Sequence, residues 1–359
     1  FSDATGCGNE TASERAMMRW LIVDAVCYWA EEYHVDGFRF DLMGVHDIGT
    51  MNEVRRALDR IDPSILLYGE GWTAARSPLD ESLRAVKRAG PRLPRIAVFG
   101  DDLRDALRGG WGDSTEPGFV SGKSGLDRNV RFGVVGATAH FQVGFDSSGD
   151  SPVAYGGHSA ETINYVSCHD DLSLVDKLRA SAPEGMTEEE LVRFDKLAQT
   201  VVLTAQGIPS LFAGEEMLRT KGGVSNSHDS PDRVNRIDWS FKADHKDVFD
   251  YYRGLIALRR THPAFRLATA AEIERHLRFL DTGDTHVVAY MLVDHAGDDP
   301  WREILVVYNG ARAEKRVRIP PGDWHAVCLD GRIASEALAV FSGDSVPVPA
   351  SSALIAYLP

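Results

Sequence analysis

Five short apolar runs decide what most of this chain can become. They lie at residues 38–41, 65–68, 96–99, 162–167 and 209–213. Helical patterns fall around them, at 11–33, 52–61, 79–89, 172–178, 188–206 and 248–260. In the first helix, Thr11 and Glu14 fit a capping box, and Met18, Leu21, Ile22, Ala25, Val26 and Trp29 recur at helical spacing to make one apolar stripe. Strand–helix alternation implies parallel βαβ units. Continuous apolar runs such as 65–68 suit strands covered on both faces. Two long stretches rich in Gly, Ser, Asp and Pro interrupt the alternation, at 111–158 and 214–238. Long ordered loops in compact domains are usually functional, and a tolerated surface insertion is the alternative.

After residue 266 the grammar changes. Apolar runs at 286–294, 302–309, 314–319, 324–329 and 353–358 follow one another with turn residues and no strong helix between them. This predicts a separate antiparallel β-sandwich over 266–359, after an α/β domain over 1–265.

Composition narrows the function. The net charge is −14, from 39 basic and 53 acidic side chains. That excess argues against a nucleic-acid partner and suits a neutral ligand. No run of about 18 apolar residues occurs, so no membrane span is expected. Cys7, Cys27, Cys168 and Cys328 are scattered, with neither a zinc motif nor a disulfide framework. The chain opens on Phe1 without a signal peptide, so its natural start is expected upstream and no compartment is read.

Three carboxylates follow three different strands. Residues two apart on a strand share a face, so Arg39 and Asp41 point one way and Phe38 and Phe40 the other. An arginine beside Asp41 would favour a carboxylate ready to attack, or simply close an ion pair in the core. Glu70 ends the next strand between Gly69 and Gly71, which would free the backbone to present it to a ligand. Trp72 beside it would stack on a sugar or cap the apolar layer. An acid near an aromatic wall tends toward a raised pKa and suits a general acid. His169 and Asp170 close a third strand, with Asp171 expected to cap the helix beginning near Leu172. Two such carboxyls are what a retaining glycosidase needs, one to attack the sugar and one to protonate the leaving oxygen. A third can grip the sugar at the transition state.

The segment Val35-Asp36-Gly37-Phe38-Arg39-Phe40-Asp41-Leu42 resembles the nucleophile segment of the α-amylase superfamily. Tyr68-Gly69-Glu70-Gly71-Trp72 resembles its acid/base segment in the form used by type I pullulanases, and Tyr165-Val166-Ser167-Cys168-His169-Asp170 the segment of the stabilising aspartate. Gly6 through Glu14, Ala213-Gly214-Glu215-Glu216, Arg219-Thr220-Lys221-Gly222 and Asn226 through Asn235 to Trp239 are similar to pullulanase as well. The resemblance implies a (β/α)₈ TIM barrel with a β-sandwich behind it, and retaining hydrolysis of α-1,6 branch linkages in pullulan, starch or glycogen-derived dextrins. An isoamylase-like or α-1,4-acting enzyme, or a non-catalytic glucan binder, is the alternative. By position Asp41 is nucleophile, Glu70 acid/base and Asp170 stabiliser. Arg39, His169, Trp72, Asn235 and Asp232 would contact substrate. No cofactor or catalytic metal is implied; some relatives bind structural calcium, but no EF-hand loop occurs here. Two features depart from the family: Asp171 stands where relatives usually have Asn, and the earlier Asn-His segment of the third barrel strand is absent. The five runs match barrel strands four to eight. Strands one to three are therefore expected from the N-terminal part of the same enzyme.

Overall fold

The computed structural model describes residues 2–144 and 154–359, so the part of the expected loop at 145–153 lies outside the described residues. Five parallel strands form one sheet in sequence order: β1 (Gly37–Phe40), β2 (Leu66–Gly69), β3 (Ala97–Phe99), β4 (Thr162–Asn164) and β5 (Ile208–Pro209). β3, β4 and β5 are shorter than their apolar runs, whereas β1 and β2 are as long as theirs and shifted by one residue. The residues just beyond leave the ladder and turn outward at the C-terminal ends, where barrel enzymes carry their chemistry.

Helices α1 (Ala16–Tyr33), α2 (Ile48–Ile61), α3 (Asp101–Arg108), α4 (Asp127–Val134), α5 (Leu174–Ala180) and α6 (Glu188–Thr204) accompany the strands. The short α7 (Asp232–Asn235) and α8 (Phe241–Asp244) then lead into α9 (Lys246–Thr261) and α10 (Ala270–His276). Helix α2 starts on Asp47, whose carboxylate accepts from Thr50 N at 2.9 Å and so satisfies a free first-turn donor. The expected helix at 79–89 is two short 3₁₀ turns, Glu81–Leu83 and Lys87–Arg92. Its amides are used elsewhere: Ala85 N donates to His46 O at 2.9 Å and Lys87 N to Gly71 O at 2.8 Å. The expected loop at 111–158 contains α4, and α3 lies just before it with Asp101 and Asp102 in its first turn.

Helix α1 departs from its expected cap and stripe. It starts at Arg15 with no side-chain cap, because a turn from Arg15 N to Ala12 O leaves Thr11 and Glu14 outside the helix. Only Val26 and Ala30 are buried; Met17, Trp20 and Tyr33 are 77%, 60% and 57% exposed. The adjoining strand β1 pairs with β2 on one side, and among the described residues no strand pairs with the other. An exposed apolar helix surface and an open strand edge thus occur together, both kinds of surface that proteins normally cover.

The C-terminal strands are β6 (Leu277–Leu280), β7 (Val287–Leu292), β8 (Glu303–Asn309), β9 (Lys315–Leu329), β10 (Arg332–Ile333), β11 (Ala339–Val348) and β12 (Ser352–Leu358). They form one antiparallel sheet ordered β10-β9-β12-β8-β7-β6, with β11 also on β9. The two strands expected at 314–319 and 324–329 are one, because β11 runs alongside both halves with a register shift between Gly343 and Ser345. Alternation gives the central strands two apolar faces. Val288, Tyr290, Val306 and Tyr308 join the core shared with the barrel helices. Val287, Leu305, Val307 and Trp324 pack with Val317 and Val346 of the β9–β11 hairpin, which supplies the second layer. Tyr290 OH donates to Thr204 O at 3.0 Å, fastening β7 to the end of α6.

Candidate active site

The C-terminal ends of β1 to β5 open into a cleft of about 1120 Å³. Its wall is aromatic. Phe99 lies edge-on to Tyr68 and Tyr165, with ring centres 5.6 and 5.1 Å away, and Trp72 is tilted at 6.4 Å. Arg104 donates to Tyr165 OH at 2.7 Å and lies 5.2 Å from the Trp111 ring. Asp41, Glu70, His169 and Asp170 reach this cleft together with Arg39 and Trp72.

Asp41 is exposed, one residue past the end of β1. Glu70, one past β2, is only 7% exposed. Arg39 pairs with Glu70 and not with Asp41 as the shared face suggested: its Nη2 donates to Glu70 Oε1 at 2.8 Å. The parallel register explains this. Phe40 lies opposite Gly69, so Glu70 falls diagonally across from Arg39. The second carboxyl oxygen of Glu70 accepts from Leu42 N at 2.8 Å. Leu42 has φ 42°, a left-handed turn costly for a leucine, which aims its N–H at the acid. Burial, then a hydrogen bond shared with Asp41, pushes the Glu70 pKa up to about 7 against the opposing pull of Leu42 N–H and Arg39.

The glycines flanking Glu70 face protein and not an open path for ligand. A Cβ on Gly69 would come within 2.7 Å of Phe40 O, and one on Gly71 within 2.8 Å of Lys87 N. They let neighbouring backbone close against the acid and hold it in place.

The turn carrying His169 and Asp170 is tied down from both sides. His169 Nε2 lies 3.6 Å from Asp170 Oδ2, and both side chains are exposed. Lys221 Nζ donates to His169 O at 3.0 Å, to Ser225 O at 3.2 Å and to Asp171 O. Asp171 does not cap the next helix; Ser173 does, accepting from Asp176 N at 3.3 Å. Asp171 sits at φ 58° and accepts from the fully buried Arg108 Nη2 at 2.8 Å, while Arg108 Nη1 reaches Leu172 O at 3.0 Å.

Known proteins are similar to this chain in sequence and fold. Residues 273–332 match the family model described as pullulanase, all-beta domain. A pullulanase from Bacillus subtilis (strain 168) is 39% identical over 319 residues, 89% of this chain and 43% of its own length. The pullulanase from Bacillus acidopullulyticus superimposes with a TM-score of 0.92 at 41% identity, over 99% of this chain and 42% of that one. The apo pullulanase from Paenibacillus barengoltzii gives 0.90 at 44% identity, over 100% of this chain and 53% of that one. The same Paenibacillus protein has a solved complex with maltohexaose and alpha-cyclodextrin, at 43% identity and a TM-score of 0.88. The chain is homologous to the C-terminal part of pullulanases. It spans about half or less of the length of these relatives. The open parallel sheet and the antiparallel domain thus match parts of these pullulanase structures, and the latter overlaps the family's all-beta domain.

In this pullulanase homologue, Asn235 and Asp232 do not line the cleft. The Asn235 amide donates to Ser227 O at 2.6 Å and Ser230 O at 3.1 Å, bracing its own loop, and Asp232 is exposed at the start of α7. Asn226 of the same loop lines the cleft instead. The sequence reading also gave no role to Glu215. It accepts from Ser167 Oγ, from Gln199 Nε2 at 2.9 Å and from Phe212 N at 3.1 Å, so it joins the end of β4 to the loop after β5 and to α6. Burial pushes its pKa up to about 7. Its segment, Ala213-Gly214-Glu215-Glu216 at the start of the expected loop at 214–238, carried a resemblance but assigned this residue no task.

Asp171 offers a stability test. Asp171→Ala leaves the Arg108 charge buried without its carboxylate and puts alanine in a left-handed conformation. The expected loss is about 3 kcal/mol or more. Asp171→Asn keeps an acceptor in a residue that tolerates this φ, so it costs less. Denaturant unfolding of the protein carrying this chain reads both; equal stability of wild type and the alanine variant would refute the clamp.

Proposed function

We propose that this chain carries the catalytic carboxylates of a retaining glycoside hydrolase acting on α-1,6 branch linkages of pullulan, starch or glycogen-derived dextrins. The observation that carries the reading is Glu70: buried, bonded by Arg39 and Leu42, and holding its proton up to about pH 7 beside exposed Asp41. One carboxyl is kept as an acid and its neighbour is open to the cleft. Asp41 follows the neighbouring strand and helps to raise the Glu70 pKa, so acid and nucleophile stand close together, as direct attack with retention requires.

Asp41 attacks the anomeric carbon while Glu70 protonates the departing glycosidic oxygen. A glucosyl ester on Asp41 forms, and Glu70, now a carboxylate, takes a proton from the water that hydrolyses it. Asp170 and His169, on their braced turn, contact the sugar ring. Arg39 positions Glu70, and Trp72 offers an aromatic face at the cleft wall. The complex of the Paenibacillus relative with maltohexaose supports a glucan as ligand. Residues 1–265 form the barrel part and 266–359 the β domain. The edge of β1 and the exposed face of α1 are completed by the N-terminal part of the same enzyme, which supplies the remaining strands.

Products test the reading. Pullulan is expected to yield maltotriose, from α-1,6 cleavage; panose would show α-1,4 cleavage and overturn it. A pH profile tests Glu70. An acid with a raised pKa is protonated and competent below about 7 and loses its proton above it, so kcat/KM is expected to fall as pH rises through about 7. A rate that stays flat to pH 9 would remove Glu70 from the acid role.

A further inference from the structure

Three consecutive residues at the mouth of β4 carry three different kinds of metal donor. Ligand atoms of Cys168, His169 and Asp170 all lie within 4.8 Å of one another. This is unusual for neighbours in sequence, which an extended strand would point to opposite faces. The strand has already ended at Asn164, and the chain bends here, so the side chains converge. The Cys168 thiol also lies 3.8 Å from Asp170 O, which keeps it folded toward the carboxylate end of the turn. The bend is held by neighbours. Ser167 is bonded to Glu215 before it, Lys221 grips the carbonyls of His169 and Asp171, and Asp171 is paired to Arg108 after it. The donors therefore stand on a braced turn, with Cys168 half-buried and the other two facing the cleft.

The donor set selects the ion. A thiolate, an imidazole and one carboxylate suit Zn²⁺ or a similar borderline-soft cation, and three protein ligands leave the fourth tetrahedral position to water. Calcium wants six or more oxygens and is not served by this group. We infer that Cys168, His169 and Asp170 form a chelating site for Zn²⁺, and that an ion held there blocks the sugar site by taking the Asp170 carboxylate. The binding stands on the geometry alone; the block rests on the proposed contact of Asp170 with substrate.

Co²⁺ added alone to the enzyme carrying this chain, kept reduced without a thiol, tests the binding. One equivalent is expected to give a thiolate-to-cobalt charge-transfer band that Zn²⁺ displaces. Cys168→Ser should lose the band and Cys7→Ser should keep it. Cys7 is the needed control, since it is exposed and lines the same cleft. No band, a band that survives Cys168→Ser, or one that vanishes with Cys7→Ser would overturn the site. Zn²⁺ titrated into a pullulan assay tests the block, with at least tenfold more Zn²⁺ needed to halve the rate of Cys168→Ser than of wild type. A cobalt band without inhibition would leave the site in place and overturn the block.

Discussion

Asp41→Asn in the enzyme that carries this chain is expected to abolish pullulan hydrolysis, lowering kcat by at least about a thousandfold. The amide keeps the size and exposure of the side chain but cannot form the sugar ester. Asp41 is exposed, so the substitution should leave the thermal unfolding temperature close to wild type, which separates lost chemistry from lost folding. Glu70→Gln is expected to behave differently. It should lose a factor of about 10² to 10⁴ on pullulan, where the leaving oxygen needs a proton. It should lose far less on an aryl glucoside whose phenolate leaves unaided. Asp41→Asn should fail on both. An Asp41→Asn enzyme with a tenth of wild-type activity would end the nucleophile assignment. A Glu70→Gln enzyme equally impaired on both substrates would end the acid assignment.

The second large effect concerns the open side of the barrel. The 359-residue chain made by itself is expected to self-associate and to show no measurable turnover. Strand β1 would offer unpaired backbone groups, and Met17, Trp20 and Tyr33 of α1 would lie uncovered. Asp41 follows that same edge strand, so the nucleophile is held from one side only. Co-production with a segment carrying the first three barrel strands should restore both a monodisperse species and maltotriose release. Light scattering after size exclusion reads the first and product chromatography the second. A monomeric, fully active 359-residue protein would refute the need for completion.

Much of the site was legible because its information is local. An apolar run followed by Asp, Glu or His-Asp says that a strand ends there, and parallel strands in sequence order bring their ends to one cleft. Asp41, Glu70 and Asp170 could be found that way. What escaped was decided by distant partners. The pairing of Arg39 with Glu70 depends on the register between β1 and β2, one diagonal step that no single segment encodes. The helical pattern at 79–89 lost to hydrogen bonds from Ala85 and Lys87 to residues far away in sequence. Asn235 looked like a substrate contact but braces its own loop, while Glu215, given no task in its loop, is buried and bonded to Ser167 at the cleft. The chain does not show which polar side chain faces a ligand and which faces a carbonyl until the loops are in place.

The edge position of β1 has an engineering consequence. On the proposed reading, the strands that complete the barrel dock on the open edge of β1, so a split made at that edge falls next to the proposed nucleophile Asp41. Two halves severed there and fused to a pair of interacting proteins would regain turnover only when those proteins meet. Sugar release would then count encounters between the fused partners, with each reunited barrel amplifying one encounter into many product molecules.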